Sequence, residues 1–201
     1  MRWPIIKLGE IAEVITKGTT PTSIGHKFQE QGINFIKVES ITEGGEFILS
    51  KVAHISEECH SQLKRSQLKD GDILFSIAGA LGRTAIVNSG ILPANTNQAL
   101  AIIRLNSSPD YSTEFIYKAL STGFVLEQIE KFKGGVAQQN LSLTQVKDFD
   151  IPLPPIDMQQ HIVSTLDQVF NGIAEAKVIA ERKLNALDEL KRSMIHKVFA
   201  G

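Results

Sequence analysis

The sequence predicts an α+β fold: a mixed α/β domain with several short strands and polar loops over residues 1–154, then one long coiled-coil helix over residues 155–201. Two observations carry this. Short apolar runs alternate with turn residues as far as "IPLPPI" (Ile151–Ile156), beyond which proline is absent and glycine stands only at Gly172 and Gly201. From Leu166 onward, apolar residues recur at the alternating four- and three-residue spacing of a heptad.

Within the first part, Ile33–Val38 and Phe47–Leu49 read as strands separated by a Gly44-Gly45 turn. "DGDILFSIAG" (Asp70–Gly79) reads as a turn and a buried strand, and Thr84–Val87 and Ala99–Leu105 as further strands. Ser56–Leu63 reads as a short helix capped by Ser56 and including Cys59, Gln62 and Leu63. A second helix starts near Ser112 and carries Phe115, Ile116, Ala119 and Leu120 at helical spacing. A third covers Phe124–Phe132 and stops at Gly134. "LTQVKDFDIPLP" (Leu143–Pro154) gives a short helical or turn segment and a final extended one.

In the tail, Asp157 is the expected N-cap, with Gln160 placed to complete a capping box. Leu166, Ile173, Ala180, Leu187 and Met194 fill one heptad seat; Phe170, Lys177, Leu184, Lys191 and Val198 fill the other. About 40 helical residues extend roughly 60 Å, longer than a small domain is wide. Such a stripe calls for a second helix, so a homodimer through these residues is expected. Lys177 and Lys191 are poor core residues and set register or orientation instead. The alternative is a helix folded back on its own domain.

Composition limits the function classes. Apolar residues make up 42% and charged residues 21% of the 201, as in a globular protein. A lone cysteine, Cys59, leaves no disulfide framework and no cysteine zinc cluster. The start, Met1-Arg2-Trp3-Pro4, has no apolar signal core, and no run is long enough to span a membrane, so a cytoplasmic location is expected. The net charge of −1 announces no nucleic acid: residues 1–150 hold 15 basic and 16 acidic residues, and the remainder 6 of each.

No catalytic constellation emerges. "IAGALG" (Ile77–Gly82) resembles a cofactor loop, but "RTAIVNSG" after it reads as strand and turn, whereas a phosphate-cradling loop opens a helix. "IPLPP" lacks the Asn or Asp and the aromatic residue of an amino-methyltransferase motif. His26, His54, His60, His161 and His196 include no i, i+4 pair, and Asp70 and Asp72 flank Gly71 as turn residues. Neither metal nor cofactor is expected. "KGGVAQQNLS" (Lys133–Ser142) has glycines and three consecutive amides but no hydrolytic group. Its amides satisfy a turn or read another molecule's hydrogen-bonding edge.

Several stretches in order, "GDILFSIAGALGR", "NTNQALAII", "IPLPPIDMQQ" and the closing "LKRSMIHKVFAG", make nearly the whole chain resemble the specificity subunit of type I restriction–modification systems. The resemblance implies a subunit without catalytic activity. Its target recognition domain holds a double-stranded DNA half-site, its helix docks a methyltransferase subunit, and the complex adds a restriction subunit. Such subunits usually carry two recognition domains and two spacer helices. One of each here implies a half-subunit or a fragment, and a homodimer through antiparallel helices would supply the second half. Asn and Gln bond adenine bidentately, Arg and Lys guanine, and glycine-rich loops bring backbone N–H groups to phosphates. The candidate DNA contacts are therefore Lys17, Thr19 and Thr20 in one loop, Arg83 and Thr84 in a second, Asn97 in a third, and Lys133, Gln138, Gln139 and Asn140 in a fourth. Each has the alternative role of satisfying its own turn, and "QNLS" equally offers a cap to the next helix. The competing readings are a self-contained methyltransferase or nuclease and a coiled-coil adaptor that binds no DNA.

Overall fold

The computed structural model describes residues 3–133 and 140–199. In chain order the elements are β1 (Ile5–Lys7), α1 (Leu8–Ile11), β2 (Ala12–Lys17), β3 (Ile33–Ile36), β4 (Ala53–Ile55), α2 (Glu57–Gln62), β5 (Ile73–Ser76) and β6 (Thr84–Ile86). Then come β7 (Ala94–Thr96), β8 (Leu100–Leu105), α3 (Thr113–Leu120), α4 (Gly123–Lys133), α5 (Leu143–Lys147), β9 (Asp150–Pro152) and α6 (Ile156–Phe199). The chain divides into two compact units, Met1–Gln159 and Gln160–Gly201.

In the first unit, a four-stranded sheet runs β2-β8-β5-β6 with every pair antiparallel. A second sheet runs β4-β3-β7, with β3 antiparallel to β4 and parallel to β7. Successive residues of β8 point to opposite faces. One face sends Leu100 and Ile102 into a core with Leu74 and Ala85, shared with Ile36 and Ala94 of the second sheet. On the other face lies Phe75, edge-on to Phe149 with ring centroids 5.5 Å apart. Thr84, opposite Phe75, hydrogen-bonds Ser121 at the end of α3. Leu100 to Ile103 are all buried, so β8 has no solvent face.

The capping expectations hold at the shorter helices. Ser56 Oγ accepts from Cys59 N–H at 3.1 Å, and Ser112 Oγ from Phe115 N–H at 3.1 Å. Ser142 and Gln145 close a reciprocal capping box on α5. Two expectations need correction. Phe47–Leu49 is not a strand: Phe47 makes one bridge to Ile41 around the turn at Gly45 (φ 86°), and Leu49, 72% exposed, opens a 3-10 turn. With Leu49 in solvent, no second strand covers the run. Asp157 is not a cap: α6 begins at Ile156, Pro155 O accepts from Met158 and Gln159 N–H, and Asp157 faces the dipole from within the first turn. Gly134 lies outside the described residues.

Buried polar groups lock the remaining joints. Gln159 is fully buried; its amide donates to Asp110 O at 2.7 Å and Pro154 O at 2.8 Å and accepts from Ser112 N–H at 3.1 Å. Asp72, also fully buried, accepts two bonds of 2.7 Å from the Arg104 guanidinium and one of 2.8 Å from Lys69 N–H. The bonds that Arg104 donates to Asp72 raise its pKa further above its already basic range. Asp72 is thus an internal counter-ion and not a nuclease carboxylate. Arg104→Ala would leave its charge buried alone. A loss of about 3 kcal/mol is expected in chemical denaturation, the low end for a buried pair because the guanidinium is 19% exposed.

Candidate nucleic-acid interface

The ladder registers place four chain segments at one end of the large sheet. Lys17 of β2 pairs with Ala101, Ser76 of β5 with Leu100, and Thr84 of β6 with Phe75. The loops that leave this end hydrogen-bond to one another. Gly18 N–H donates to Asn97 O at 3.1 Å and Thr19 N–H to Thr96 O at 3.2 Å. Ile77 N–H donates to Ala99 O at 2.9 Å, and Leu141 N–H to Ile77 O at 2.8 Å. Asn140 bridges to Ala78. Three candidate loops and the described end of the fourth, at Asn140, therefore meet, although they are far apart in sequence.

The candidate side chains have different fates. Lys17 is exposed and has no ion pair among the described residues. Thr19 Oγ accepts from Arg65 at 3.3 Å, and Thr20 donates to the Gln98 amide oxygen. Asn97 Oδ1 accepts from Ala99 N–H at 3.0 Å, a turn bond made with its own loop. Asn140 is exposed. Gln138 and Gln139 lie outside the described residues, as does the side chain of Lys133. Two candidates are engaged inside the fold. Arg83 is half-buried and gives its guanidinium to Val38 O at 3.3 Å and Ile41 O at 3.0 Å, tying down the neighbouring turn. Thr84 is 4% exposed, with its hydroxyl held by Ser121 at 2.7 Å, so it belongs to the packing under α3.

Other polar residues of the loops act beneath the surface. Asn95 is fully buried; its amide donates to Leu63 O at 3.1 Å and Ser66 Oγ at 3.0 Å, and its oxygen meets the His60 ring. Thr96 Oγ donates to Ile36 O at 2.8 Å. Arg65 was missed by sequence reasoning, although the basic run "LKRSQLK" (Leu63–Lys69) was visible.

No group of three or more His, Cys, Asp or Glu could hold a metal ion among the described residues. Burial pushes the Cys59 thiol up, with Glu58 adding to the shift, so Cys59 is a core residue and not a nucleophile. The "IAGALG" loop turns at Gly79 (φ 75°) and Gly82 (φ 80°) into β6 and opens no helix, so it is no cofactor cradle. Among the described residues no helix is long and apolar enough to cross a membrane.

The first unit is a mixed fold that gathers polar loops at one sheet end, and a single long helix follows it in the chain. The family model for the type I restriction modification DNA specificity domain matches residues 2–182, and the chain belongs to that family. It is 35% identical over 178 residues to the type I restriction enzyme EcoBI specificity subunit of Escherichia coli, covering 86% of this chain and 36% of that protein. It is 26% identical over 202 residues to the putative type I restriction enzyme MjaX specificity subunit of Methanocaldococcus jannaschii, covering 98% and 45%. The crystal structure of the HsdS subunit from Thermoanaerobacter tengcongensis shares the fold, with a TM-score of 0.72 at 17% identity over 99% of this chain and 50% of that one. A chain from a study of complex assembly and conformational transition of the type I R-M system gives 0.74 at 21% identity, covering 98% and 45%. The chain thus spans half or less of the length of these relatives.

Gly18 is the tightest joint in the loop cluster. A Cβ there would sit 1.9 Å from Thr96 O. Gly18→Ala should therefore force the first and third loops apart and cost about 1–3 kcal/mol, as overpacking does, in a urea melt. An unchanged midpoint would mean that these loops are not locked together.

Proposed function

We propose that this chain is a DNA sequence-recognition subunit without catalytic activity of its own. It directs a methyltransferase subunit, and through the complex a restriction subunit, to a bipartite target in cytoplasmic DNA. Residues 1–154 hold one half-site, and residues 155–201 form the dimerisation and spacer helix. The observation that carries this reading is the meeting of three polar loops and the described end of a fourth at one sheet end, in a chain of the specificity-domain family. Exposed Lys17 and Asn140 are its foremost DNA contacts, with Thr19, Thr20 and Asn97 beside them and Lys133, Gln138 and Gln139 on the adjoining segment.

The second unit supports the homodimer. α6 has 44 residues, about 66 Å at about 1.5 Å per residue. Its seam residues Phe170, Ile173, Leu184, Leu187, Met194 and Val198 are between 55% and 74% exposed. Leu166 is half-buried, and Lys177, Ala180 and Lys191 are exposed. Val169 and Leu190 are also exposed and widen the apolar stripe beyond a two-helix seam, which leaves room for a methyltransferase helix beside the second copy. A closed pair of identical chains is most often two-fold symmetric. In an antiparallel pair Lys177 and Lys191 are offset from their own copies, whereas a parallel pair would oppose like charges.

Selection of bound DNA from a random pool, using the chain with its methyltransferase, tests the reading directly and should return one defined motif. Charged replacements at both Leu184 and Leu187 should convert the dimer to monomers in light scattering, since each forfeits burial of about 1.5–3 kcal/mol. Two-fold symmetry also predicts the target: two inverted copies of a short half-site around unread base pairs, with centres about 10 bp or a multiple apart. The methylation pattern of genomic DNA in cells carrying both subunits reads this out. An asymmetric motif would mean that a different specificity chain supplies the second half.

A further inference from the structure

The inner face of β2 lies at the edge of the large sheet, and a concavity of about 410 Å³ opens there. Its walls include Val14, Thr16, Lys64, Arg65, Lys69 and Arg104. Arg104 is neutralised by Asp72. Lys64, Arg65 and Lys69 are exposed, and none has a carboxylate partner among the described residues. Asp70 borders the cluster in sequence, and Glu13 precedes Val14 of the wall, but neither forms an ion pair with it. Three unpaired cations are a clear local surplus in a chain whose net charge is −1.

These cations are held in place. Leu63, Ser66 and Leu68, which alternate with them, are buried. Asn95 grips the turn from below through Leu63 O and Ser66 Oγ, and Leu68 N–H donates to Ala94 O at 2.9 Å. The segment is strapped to β7 on its buried side and presents its charges on the other. Arg65 also lines a second concavity, of about 350 Å³, with Thr19, and donates to the Thr19 hydroxyl. The cationic surface is therefore continuous with the loop cluster.

We propose that Lys64, Arg65 and Lys69 form a clamp for the sugar–phosphate backbone of duplex DNA, beside the loops that read it. The inference rests on the DNA-recognition reading above and names a contact surface outside its loops. Fixed cations with no internal carboxylate fit phosphate, and their place beside the loops fits the backbone flanking the bases being read. Such contacts position the duplex and carry no sequence preference.

The test is duplex binding by the full chain together with its methyltransferase subunit, across about 50–200 mM salt, on several unrelated sequences. Removing both lysines, with Lys64→Ala and Lys69→Ala, should lower the salt slope by about 1.8, at about 0.9 per phosphate contact. The variant should lose about tenfold less affinity than the wild type between those salt limits, by the same factor on every sequence. Arginine at both positions should restore the slope, which a mere folding defect would not allow. An unchanged slope in the alanine variant, with wild-type binding intact, overturns the clamp and leaves the recognition reading standing. A loss confined to one sequence makes these residues base readers and also overturns it. Tighter binding to an RNA duplex of the same sequence would assign the patch to RNA. If the wild-type complex binds no duplex at low salt, the recognition reading fails and the clamp fails with it.

Discussion

The ion pair between Asp72 and Arg104 is the contact on which the architecture of the loop end depends. β8 is buried on both faces, so its apolar pattern alone is a weak guide to register: a slip by one residue exchanges one buried row for another. The pair removes that ambiguity. Arg104 follows Ile103, which opposes Ile73, and so lies beside Asp72 on the face it shares with Ile102. A slip would carry the guanidinium to the helix-covered face and leave a fully buried carboxylate without a cation, at a cost of several kcal/mol. With that register fixed, Lys17, Ser76 and Leu100 fall at the same sheet end, and their loops have no choice but to meet.

The same loops supply both the support and the surface. Asn95 and Thr96 are buried and hold β3, β7 and the turn at Lys64–Ser66 together, while Asn97 closes its own turn and Gln98 receives Thr20. A buried amide without partners would cost about 1–3 kcal/mol, so the bonds of Asn95 are a condition of the fold and not an accessory to binding. This division explains why residue type alone did not foretell the internal bonds of Arg83 and Thr84. An arginine in a glycine-rich loop has the chemistry to grip a phosphate or a guanine, but the carbonyls of the turn at Val38–Ile41 lay within its reach.

Legibility followed the range of the interactions. Ser56 and Ser142 were readable as caps or capping candidates, and Ser112 as a helix start, because a helix start is settled within three or four residues. β5, β6 and β8 were readable because each is an apolar run bounded by turns. β4 and β7, each of three residues, carry too little pattern to read, and they exist because β3 lies between them. β1 pairs with β9 across almost the whole unit, a relation no local window contains. The candidate loops could be named from composition. Their convergence, and the cations that Asn95 holds beside them, arise only from long-range register.

Charge shows why the composition discouraged a nucleic-acid reading. Net charge averages the whole surface, whereas a phosphate senses charges within a Debye length, about 8–10 Å at ordinary salt. Acidic residues offset basic ones in pairs remote in sequence from the loops, such as Lys7 with Asp150 and Lys37 with Glu39, or in the buried pair at Asp72. Lys17, Lys64, Arg65 and Lys69 are left without such partners among the described residues. Residues 151–201 hold 6 basic and 6 acidic residues, and this balance suits a helix that associates with its own copy, because a near-zero net charge lowers the repulsion between them. On the proposed reading, in which one unit meets a polyanion and the other a second copy, a total near zero is composed of a local surplus in the first and neutrality in the second.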